Sequence, residues 1–224
     1  MKLLLFLLTA LLAHAAEPAA FVTALAAKRP QTIVTYGTSL TAGGAWVKQL
    51  QQALDAQFPK LATVLNTGQG AMWSDWGVKN LDARVLAKKP DAVLIEFSIN
   101  DAYLPYAMPP AVSRQNLETM ITRIRAALPQ CEIILMVMNP PIGVHLERRP
   151  KITDYEQVYR DVAKDHSLRL IDHAPAWQTV LKKGEPEYLK LVPDGIHPNA
   201  AGCAAIITPA LLHRLGLQPA APPL

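Results

Sequence analysis

The chain has 224 residues, enough for one domain of ordinary size or at most two small ones. Half of the residues are hydrophobic and 18% are charged, which allows a substantial core and excludes global disorder. The formal net charge of +4 comes from lysines and arginines that are scattered along the chain, so it gives poor support for nucleic-acid binding. We therefore expect no nucleic-acid partner.

Residues 1–15 are predicted to be a secretory signal. Lys2 precedes a short apolar run, and Ala13 to Ala15 form an A-x-A cleavage site. The alternative is an anchor helix that stays attached, but the run is shorter than the roughly 20 residues that span a bilayer comfortably. A lipoprotein is disfavoured because no cysteine follows the run. We expect a mature chain that begins near Ala16, is periplasmic or secreted, and has no stable membrane insertion.

Strand-like and helix-like segments alternate after the signal. Continuous apolar runs such as "AVLIEF" and "IILMVM" are typical of strands that are covered on both faces. The predicted strands are residues 32–37, 61–66, 92–97, 133–138 and 168–171. The predicted helices are residues 45–58, 75–88, a stretch around 117–128, one opened by a capping box of Thr153 and Glu156, and 199–215 with a break near Pro209.

This alternation predicts a parallel sheet of five strands with helices on both faces, in one domain at residues 16–217. A proline-rich tail at residues 218–224 is expected to be flexible. In such sheets, functional sites collect at the carboxyl ends of the strands. Polar or small residues that fall at these strand exits are Ser39, Gly68, Gly70, Asn100 and Asn139.

Ser39 follows the first strand in "VTYGTSLTAGG" and allows two interpretations. It could cap the helix that follows, or it could be a nucleophile at the strand exit. A serine nucleophile needs a base and a group that orients the base, and Asp194 and His197 in "VPDGIHPN" could supply both. The backbone N–H groups of Ser39 and Gly70 and the side-chain amide of Asn100 could bind an oxyanion.

This constellation resembles the SGNH hydrolases, also called GDSL esterases. Their motif blocks carry Ser, Gly, Asn and His at strand exits in this order, with Asp three residues before His. The resemblance spans residues 33–215 and implies a flavodoxin-like three-layer α/β/α sandwich. It further implies that Ser39, Asp194 and His197 are catalytic and that Ser39, Gly70 and Asn100 form the oxyanion hole.

One block departs from the family pattern. The chain has Gly37, Thr38 and Ser39 where the family usually has Gly-Asp-Ser. The missing aspartate is not one of the usual triad members, so we expect the chemistry to survive this change.

No cofactor and no metal are expected. His145, His166, His173 and His213 lack the clustered spacing of a zinc site, and we interpret them as surface or structural residues. Cys131 and Cys203 lie in apolar runs, so two buried free thiols are favoured over a disulfide, which export would permit.

Four aromatic residues flank the second and third strand exits: Trp73, Trp76, Tyr103 and Tyr106. Some of them are expected to line the cleft, with Trp73 and Tyr103 as the substrate-binding candidates; the alternative is that they only pack. Residues 139–156 are predicted to form a variable loop beside the cleft.

The sequence thus predicts an exported, cofactor-free serine esterase that forms an acyl-enzyme. It would cleave short acyl groups, above all acetyl, from a carbohydrate or a similar small alcohol. One alternative is a lysophospholipase, arylesterase or thioesterase of broad range. The other is a carbohydrate-binding protein that keeps the fold without turnover. The oligomeric state is not predicted.

Overall fold

A five-stranded parallel sheet forms the centre of the computed structural model, which describes residues 17–218. The predicted signal at residues 1–15 and most of the predicted tail lie outside the described residues. The strands are β1 Gln31–Gly37, β2 Ala62–Asn66, β3 Ala92–Glu96, β4 Glu132–Val137 and β5 Arg169–Asp172. Their spatial order is β2-β1-β3-β4-β5, which is the flavodoxin-like order. The predicted sheet is confirmed, with every strand within two residues of its expected bounds.

The helices lie between the strands and after β5. They are α1 Ala20–Ala26, α2 Ser39–Ala42, α3 Ala45–Gln57, α4 Ser74–Arg84, α5 Ser98–Asp101, α6 Pro110–Ala127, α7 Val144–Glu147, α8 Ile152–Asp165, α9 Ala174–Leu181, α10 Glu185–Leu191, α11 Ala200–Gly202 and α12 Thr208–Leu215. Two 3-10 helices, Leu86–Lys88 and Leu104–Tyr106, and a π-helical turn, Cys203–Ile207, complete the helical elements. Between residues 17 and 218, no helix has the length and apolarity needed to cross a membrane.

Both faces of the sheet are buried, which explains the continuous apolar runs in its strands. Successive strand residues point to opposite faces, so Val93 packs with the α4, α6 and α8 side while Leu94 packs with the α1, α3 and α12 side. Trp46 on the second side and Tyr159 on the first are almost completely buried. The result is the predicted three-layer α/β/α sandwich.

The capping box predicted at Thr153 and Glu156 is wrong. Helix α8 begins at Ile152, so Thr153 lies inside the first turn, and the N-cap residue Lys151 makes no side-chain cap bond. Ile152 is buried in the core, which draws the start of the helix two residues earlier than a capping box with Thr153 as the N-cap requires. Glu156 instead accepts a hydrogen bond from Arg160 Nη2 at 3.3 Å.

Two predicted helices differ in detail. The helix expected at residues 75–88 ends at Arg84, because the fully buried Val85 leaves the helical path and a 3-10 turn leads to β3. The break expected near Pro209 is the π-helical turn at Cys203–Ile207. Pro209 is the second residue of α12, which continues directly from this turn through the helical Ile207, so the proline ring and its missing N–H lie where the hydrogen-bond pattern of the helix changes.

Both cysteines are free thiols, as expected. Cys203 is buried on the α3 side of the sheet, whereas Cys131 is half-buried on the α6 side. The sheet separates them, so they cannot pair with each other.

Candidate active site

Ser39 is the first residue of α2 and lies at the carboxyl end of β1. The strand order reverses between β1 and β3, and in open α/β sheets ligands bind in the crevice at this point. Thr38, not Ser39, caps α2: its Oγ1 accepts a hydrogen bond from the Leu40 N–H at 3.2 Å. The Ser39 hydroxyl is therefore not used as a helix cap.

A chain of hydrogen bonds links Ser39, His197 and Asp194. Ser39 Oγ lies 2.8 Å from His197 Nε2, and His197 Nδ1 lies 2.6 Å from Asp194 Oδ2. Asp194 Oδ1 also accepts the backbone N–H groups of Ile196 at 3.0 Å and of His197 at 2.8 Å. Partial burial opposes ionisation of Asp194, but these hydrogen bonds outweigh it and lower its pKa to about 2. The ionised carboxylate favours a proton on Nδ1, which leaves Nε2 free to accept the serine proton.

The turn that carries Asp194 and His197 is anchored to the exit of β4. Asn139 donates from Nδ2 to Ile196 O at 2.9 Å, and Ile142 N–H donates to Gly195 O at 2.9 Å. Gly195 has a φ of +84°, and a Cβ there would lie 3.2 Å from Ile142, so this position requires glycine. Asn139 is thus at a strand exit, as predicted, but it is buried and holds the histidine turn.

Two further residues with N–H groups lie near Ser39: Gly70 lines one cavity together with Ser39, and Asn100 lines another together with Ser39. The backbone N–H of Ser39 has no acceptor within α2 because it belongs to the first turn. A Cβ on Gly70 would lie 3.9 Å from Ser39 Cβ, and Gln69 N–H holds this loop by donating to Gly37 O at 2.9 Å. Asn100, in α5, donates from Nδ2 to Met72 O at 2.9 Å and retains a second N–H. The structure therefore brings together all five residues of the predicted triad and oxyanion hole.

A buried carboxylate from β3 lies against the turn that precedes Ser39. Glu96 Oε1 accepts the Thr38 N–H at 2.7 Å and the Thr41 hydroxyl at 2.6 Å, and the Thr38 hydroxyl lies 3.0 Å away. Burial raises the pKa of Glu96 to about 7, although these hydrogen bonds oppose the rise. Gly37 is paired with Glu96 across β1 and β3, and a Cβ there would lie 2.2 Å from Glu96 Oε1.

This contact gives a physical reason why the chain has Thr38 where the family usually has an aspartate. An aspartate at position 38 would bring a second carboxylate against Glu96, whereas Thr38 offers a hydroxyl donor. The sequence did not indicate this role for Glu96, because a single acidic residue at the end of an apolar strand has no motif.

Two cavities meet at Ser39 and His197. The first has a volume of about 490 Å³ and is largely apolar, with Leu40, Trp46 and Ile207 in its wall. The second has a volume of about 390 Å³, and its walls are Ser39, Ala71, Asn100, Tyr103, Tyr106, His145, Arg148, Arg149, Ile196 and His197. We name them the apolar cavity and the polar cavity. The site can thus receive an ester with chemically different groups on its two sides.

The aromatic candidates divide between the cavity wall and its support. Tyr103 and Tyr106 line the polar cavity. Trp73 stacks on Tyr106 with ring centroids 4.1 Å apart, so it supports this wall from behind. Trp76 lies elsewhere, beside Tyr36 at 5.8 Å and under Arg84 at 5.3 Å.

The polar cavity is also lined by three residues that follow β4 and were not predicted as site residues: His145, Arg148 and Arg149. They fall in the stretch predicted as a variable loop, and His145 was expected to be a surface or structural residue. Burial and the nearby Arg149 lower the pKa of His145. The only signal in the sequence is the pair of adjacent arginines, Arg148 and Arg149, and such pairs are common at solvated corners of a fold. Between residues 17 and 218, no three His, Cys, Asp or Glu side chains are grouped as metal ligands.

Comparisons with known proteins agree with this geometry. The model of the GDSL-like lipase/acylhydrolase family matches residues 34–205. An acetylxylan esterase from Geobacillus stearothermophilus is 28% identical over 202 residues, which cover 85% of this chain and 88% of that enzyme. An acetylxylan esterase from Xylanibacter ruminicola is 29% identical over 191 residues; the match covers 75% of this chain but only 36% of that enzyme.

Solved structures with the same fold include a catalytic mutant of the Geobacillus stearothermophilus acetylxylan esterase. It has a TM-score of 0.74 and 22% identity, with 87% of this chain and 98% of that chain covered. A lipase/acylhydrolase from Enterococcus faecalis has a TM-score of 0.70 and 27% identity, with 86% and 100% covered. The family match extends over most of the chain and contains Ser39, Gly70, Asn100, Asp194 and His197. The chain therefore belongs to the GDSL-like lipase/acylhydrolase family and is a carboxylic ester hydrolase.

Proposed function

We propose that this protein is an exported serine esterase that removes acetyl groups from a carbohydrate. The observation that carries the proposal is the hydrogen-bond chain from Ser39 Oγ through His197 to Asp194, at the switch point of the sheet. The acetylxylan esterases among its relatives support the acetyl group and the carbohydrate.

The first half of the reaction forms an acyl-enzyme. Ser39 Oγ attacks the ester carbonyl carbon while His197 Nε2 accepts the hydroxyl proton, and the Asp194 carboxylate stabilises the resulting imidazolium. The carbonyl oxygen becomes an oxyanion that accepts hydrogen bonds from the N–H groups of Ser39, Gly70 and Asn100. When the tetrahedral intermediate collapses, His197 returns the proton to the leaving alcohol oxygen and the acyl group stays on Ser39.

The second half releases the acid. A water molecule takes the place of the departed alcohol, and His197 accepts its proton as the oxygen attacks the acyl carbon. The same N–H groups stabilise the second oxyanion. Collapse of this intermediate returns the proton to Ser39 Oγ and releases acetic acid, which ionises to acetate in solution.

The polar cavity is the proposed binding site for the alcohol. Tyr103 and Tyr106 offer aromatic faces to a sugar ring, and His145 and Arg148 offer hydrogen-bond donors to its hydroxyl groups. Trp73 supports this wall through its stack on Tyr106. The acetyl methyl group would then lie toward the apolar cavity beside Leu40.

The apolar cavity favours a second candidate, an esterase of broad range such as a lysophospholipase, arylesterase or thioesterase. Its volume of about 490 Å³ exceeds what an acetyl group needs. However, exposed residues, among them Ala42 and Gly43, form part of its wall. Methylenes of a longer acyl chain would therefore stay partly in water and gain less than the roughly 0.8 kcal/mol that full burial of each provides.

Acetate release from acetylated xylo-oligosaccharides tests the proposed substrate class. We expect turnover by the wild-type protein and by Thr179→Ala, which removes an exposed hydroxyl on α9, and almost none by Ser39→Ala. Turnover of nitrophenyl acetate without any acetate release from the oligosaccharides would support the esterase activity and exclude acetylated xylo-oligosaccharides as the substrate.

Export is part of the same proposal and has its own test. Expression of the full chain, followed by cell fractionation and N-terminal sequencing, is expected to give a processed protein that begins near Ala16. An uncleaved protein that remains in the cytoplasm would contradict export.

A further inference from the structure

Arg149 reaches from the loop after α7 back to the residues that carry Asn100. Its Nε donates to Ile99 O at 2.6 Å and its Nη2 donates to Asn100 Oδ1 at 3.2 Å. Its Nη1 donates to His145 O at 3.3 Å within its own loop. The guanidinium thus joins the loop after β4 to α5, next to the polar cavity.

Arg149 carries a buried positive charge without a carboxylate partner. The residue is 6% exposed, and within residues 17–218 no aspartate or glutamate forms an ion pair with it. The ring of Tyr103 lies 4.7 Å from Cζ and compensates the charge in part. A buried cation that is paired only with carbonyl oxygens and a ring is costly for folding, so a neutral side chain of the same shape would suit stability better.

We propose that Arg149 is a positioning residue for the oxyanion hole and acts through Asn100. Its bond to Oδ1 fixes the orientation of the amide, while Met72 O accepts one hydrogen of Nδ2. The second Nδ2 hydrogen is then held toward the reacting carbonyl. The positive charge on the far side of the amide also polarises its N–H bonds, which strengthens donation to an oxyanion. This inference rests on the proposed role of Asn100.

The same residue would behave differently if it bound the substrate. A group that holds the ground-state ester raises KM when it is removed, whereas a group that acts in the transition state lowers kcat. A residue that only holds the loop would lower activity independently of Asn100. These differences define the experiment.

Arg149→Met removes the charge and the donors but keeps an apolar stem, and kinetics on nitrophenyl acetate measure the effect. We expect kcat to fall by roughly 10- to 100-fold with KM changed less than about threefold. In an Asn100→Ala background the same substitution should change kcat by less than about threefold, because the donor through which it acts is gone. Arg149→Lys keeps the charge but lacks the planar fork with which the guanidinium bonds Ile99 O, His145 O and Asn100 Oδ1, so an intermediate kcat is expected.

The matched control is Arg123→Met. Arg123 also joins two helices, by donating to Val78 O at 2.6 Å and to Asp82 at 2.8 Å, but it lines neither cavity. We expect its kcat to remain within about twofold of wild type. If Arg149→Met does not fold, the comparison of Arg149→Lys in the two backgrounds gives the same test.

Three outcomes would overturn the proposal. A raised KM with unchanged kcat would make Arg149 a substrate-binding group. Equal losses in the wild-type and Asn100→Ala backgrounds would make it a structural residue of the loop. A normal kcat for Asn100→Ala alone would remove the proposed oxyanion role itself, and this is distinguishable because Arg149 does not enter that measurement.

Discussion

Glu96 Oε1 lies 2.7 Å from the backbone nitrogen of Thr38, in the turn that joins β1 to Ser39. The contact places a fully buried carboxyl group one residue away from the candidate nucleophile. Thr41, one turn further along α2, donates to the same oxygen. The stability of this turn therefore depends on the protonation state of Glu96.

The free energy of unfolding should fall as the pH rises from 4.5 to 7. Burial raises the pKa of Glu96 from 4.5 to about 7 in the folded state, so folding favours the protonated form. The contribution is complete below pH 4.5 and is lost as the pH passes 7; it amounts to roughly 3 kcal/mol. Asp101, whose pKa burial raises from 3.8 to about 6, acts in the same direction over a lower range.

Urea unfolding at a series of pH values checks this dependence. Glu96→Gln mimics the protonated form, so the decline between pH 4.5 and 7 should be smaller in this variant. Glu187→Gln, on the exposed side of α10, serves as the control and should keep the wild-type decline. An identical pH dependence in wild type and Glu96→Gln would show that Glu96 does not titrate in this range.

Asn100→Ala should lower kcat by roughly 100-fold or more with little change in KM, because an oxyanion donor acts mainly in the transition state. Asn100 is almost fully buried, and its Nδ2 is already fixed by Met72 O. Steady-state kinetics on nitrophenyl acetate provide the measurement. If the only defect of this variant were weak substrate binding, Asn100 would be assigned to binding of the alcohol in the polar cavity and not to the oxyanion hole.

Catalysis requires a neutral His197 ring, since only the neutral ring can accept the Ser39 proton. Hydrogen bonds from His197 and Ile196 lower the pKa of Asp194 to about 2 despite its partial burial, so this carboxylate stays ionised and its protonation does not limit activity above pH 4. Asp194→Asn should lower kcat by roughly 10³- to 10⁴-fold at every pH, because the amide favours the wrong tautomer. A pH profile of kcat/KM for both proteins tests this.

A chelator should leave activity unchanged, because the proposed mechanism uses only protein groups. Incubation with EDTA followed by dialysis and assay on nitrophenyl acetate is the measurement. Loss of activity that zinc restores would contradict the cofactor-free mechanism.

The acyl group should be short. We expect kcat/KM to be highest for acetyl and to decrease as the chain lengthens, since the apolar cavity is bounded in part by exposed residues. Nitrophenyl esters from acetyl to dodecanoyl give the series. A maximum at eight carbons or beyond would favour the broad-range lipolytic alternative.

The fold could be predicted well because the patterns that indicate its strands are formed by residues close together in the sequence. Two-sided burial makes β3 and β4 continuous apolar runs, and the strand exits follow directly from their ends. The placement of the five motif residues was also predictable, since each falls at a strand exit or in one short turn.

Long-range contacts were not predictable. The bond from Glu96 to Thr38 joins residues 58 positions apart, and the bond from Arg149 to Asn100 joins residues 49 apart. Neither pair has a spacing that indicates contact. The capping box at Thr153 failed for a related reason, because burial of Ile152 outweighed the local signal.

Active-site labelling tests the central claim most directly. The protein is treated with a fluorophosphonate, digested, and mapped by mass spectrometry. The mechanism predicts one adduct, on the peptide that contains Ser39; Ser39→Ala should give none, and His197→Ala should react far more slowly because the hydroxyl has lost its base. An adduct on a different residue, or near-normal ester turnover by Ser39→Ala, would contradict the assignment of Ser39 as the nucleophile.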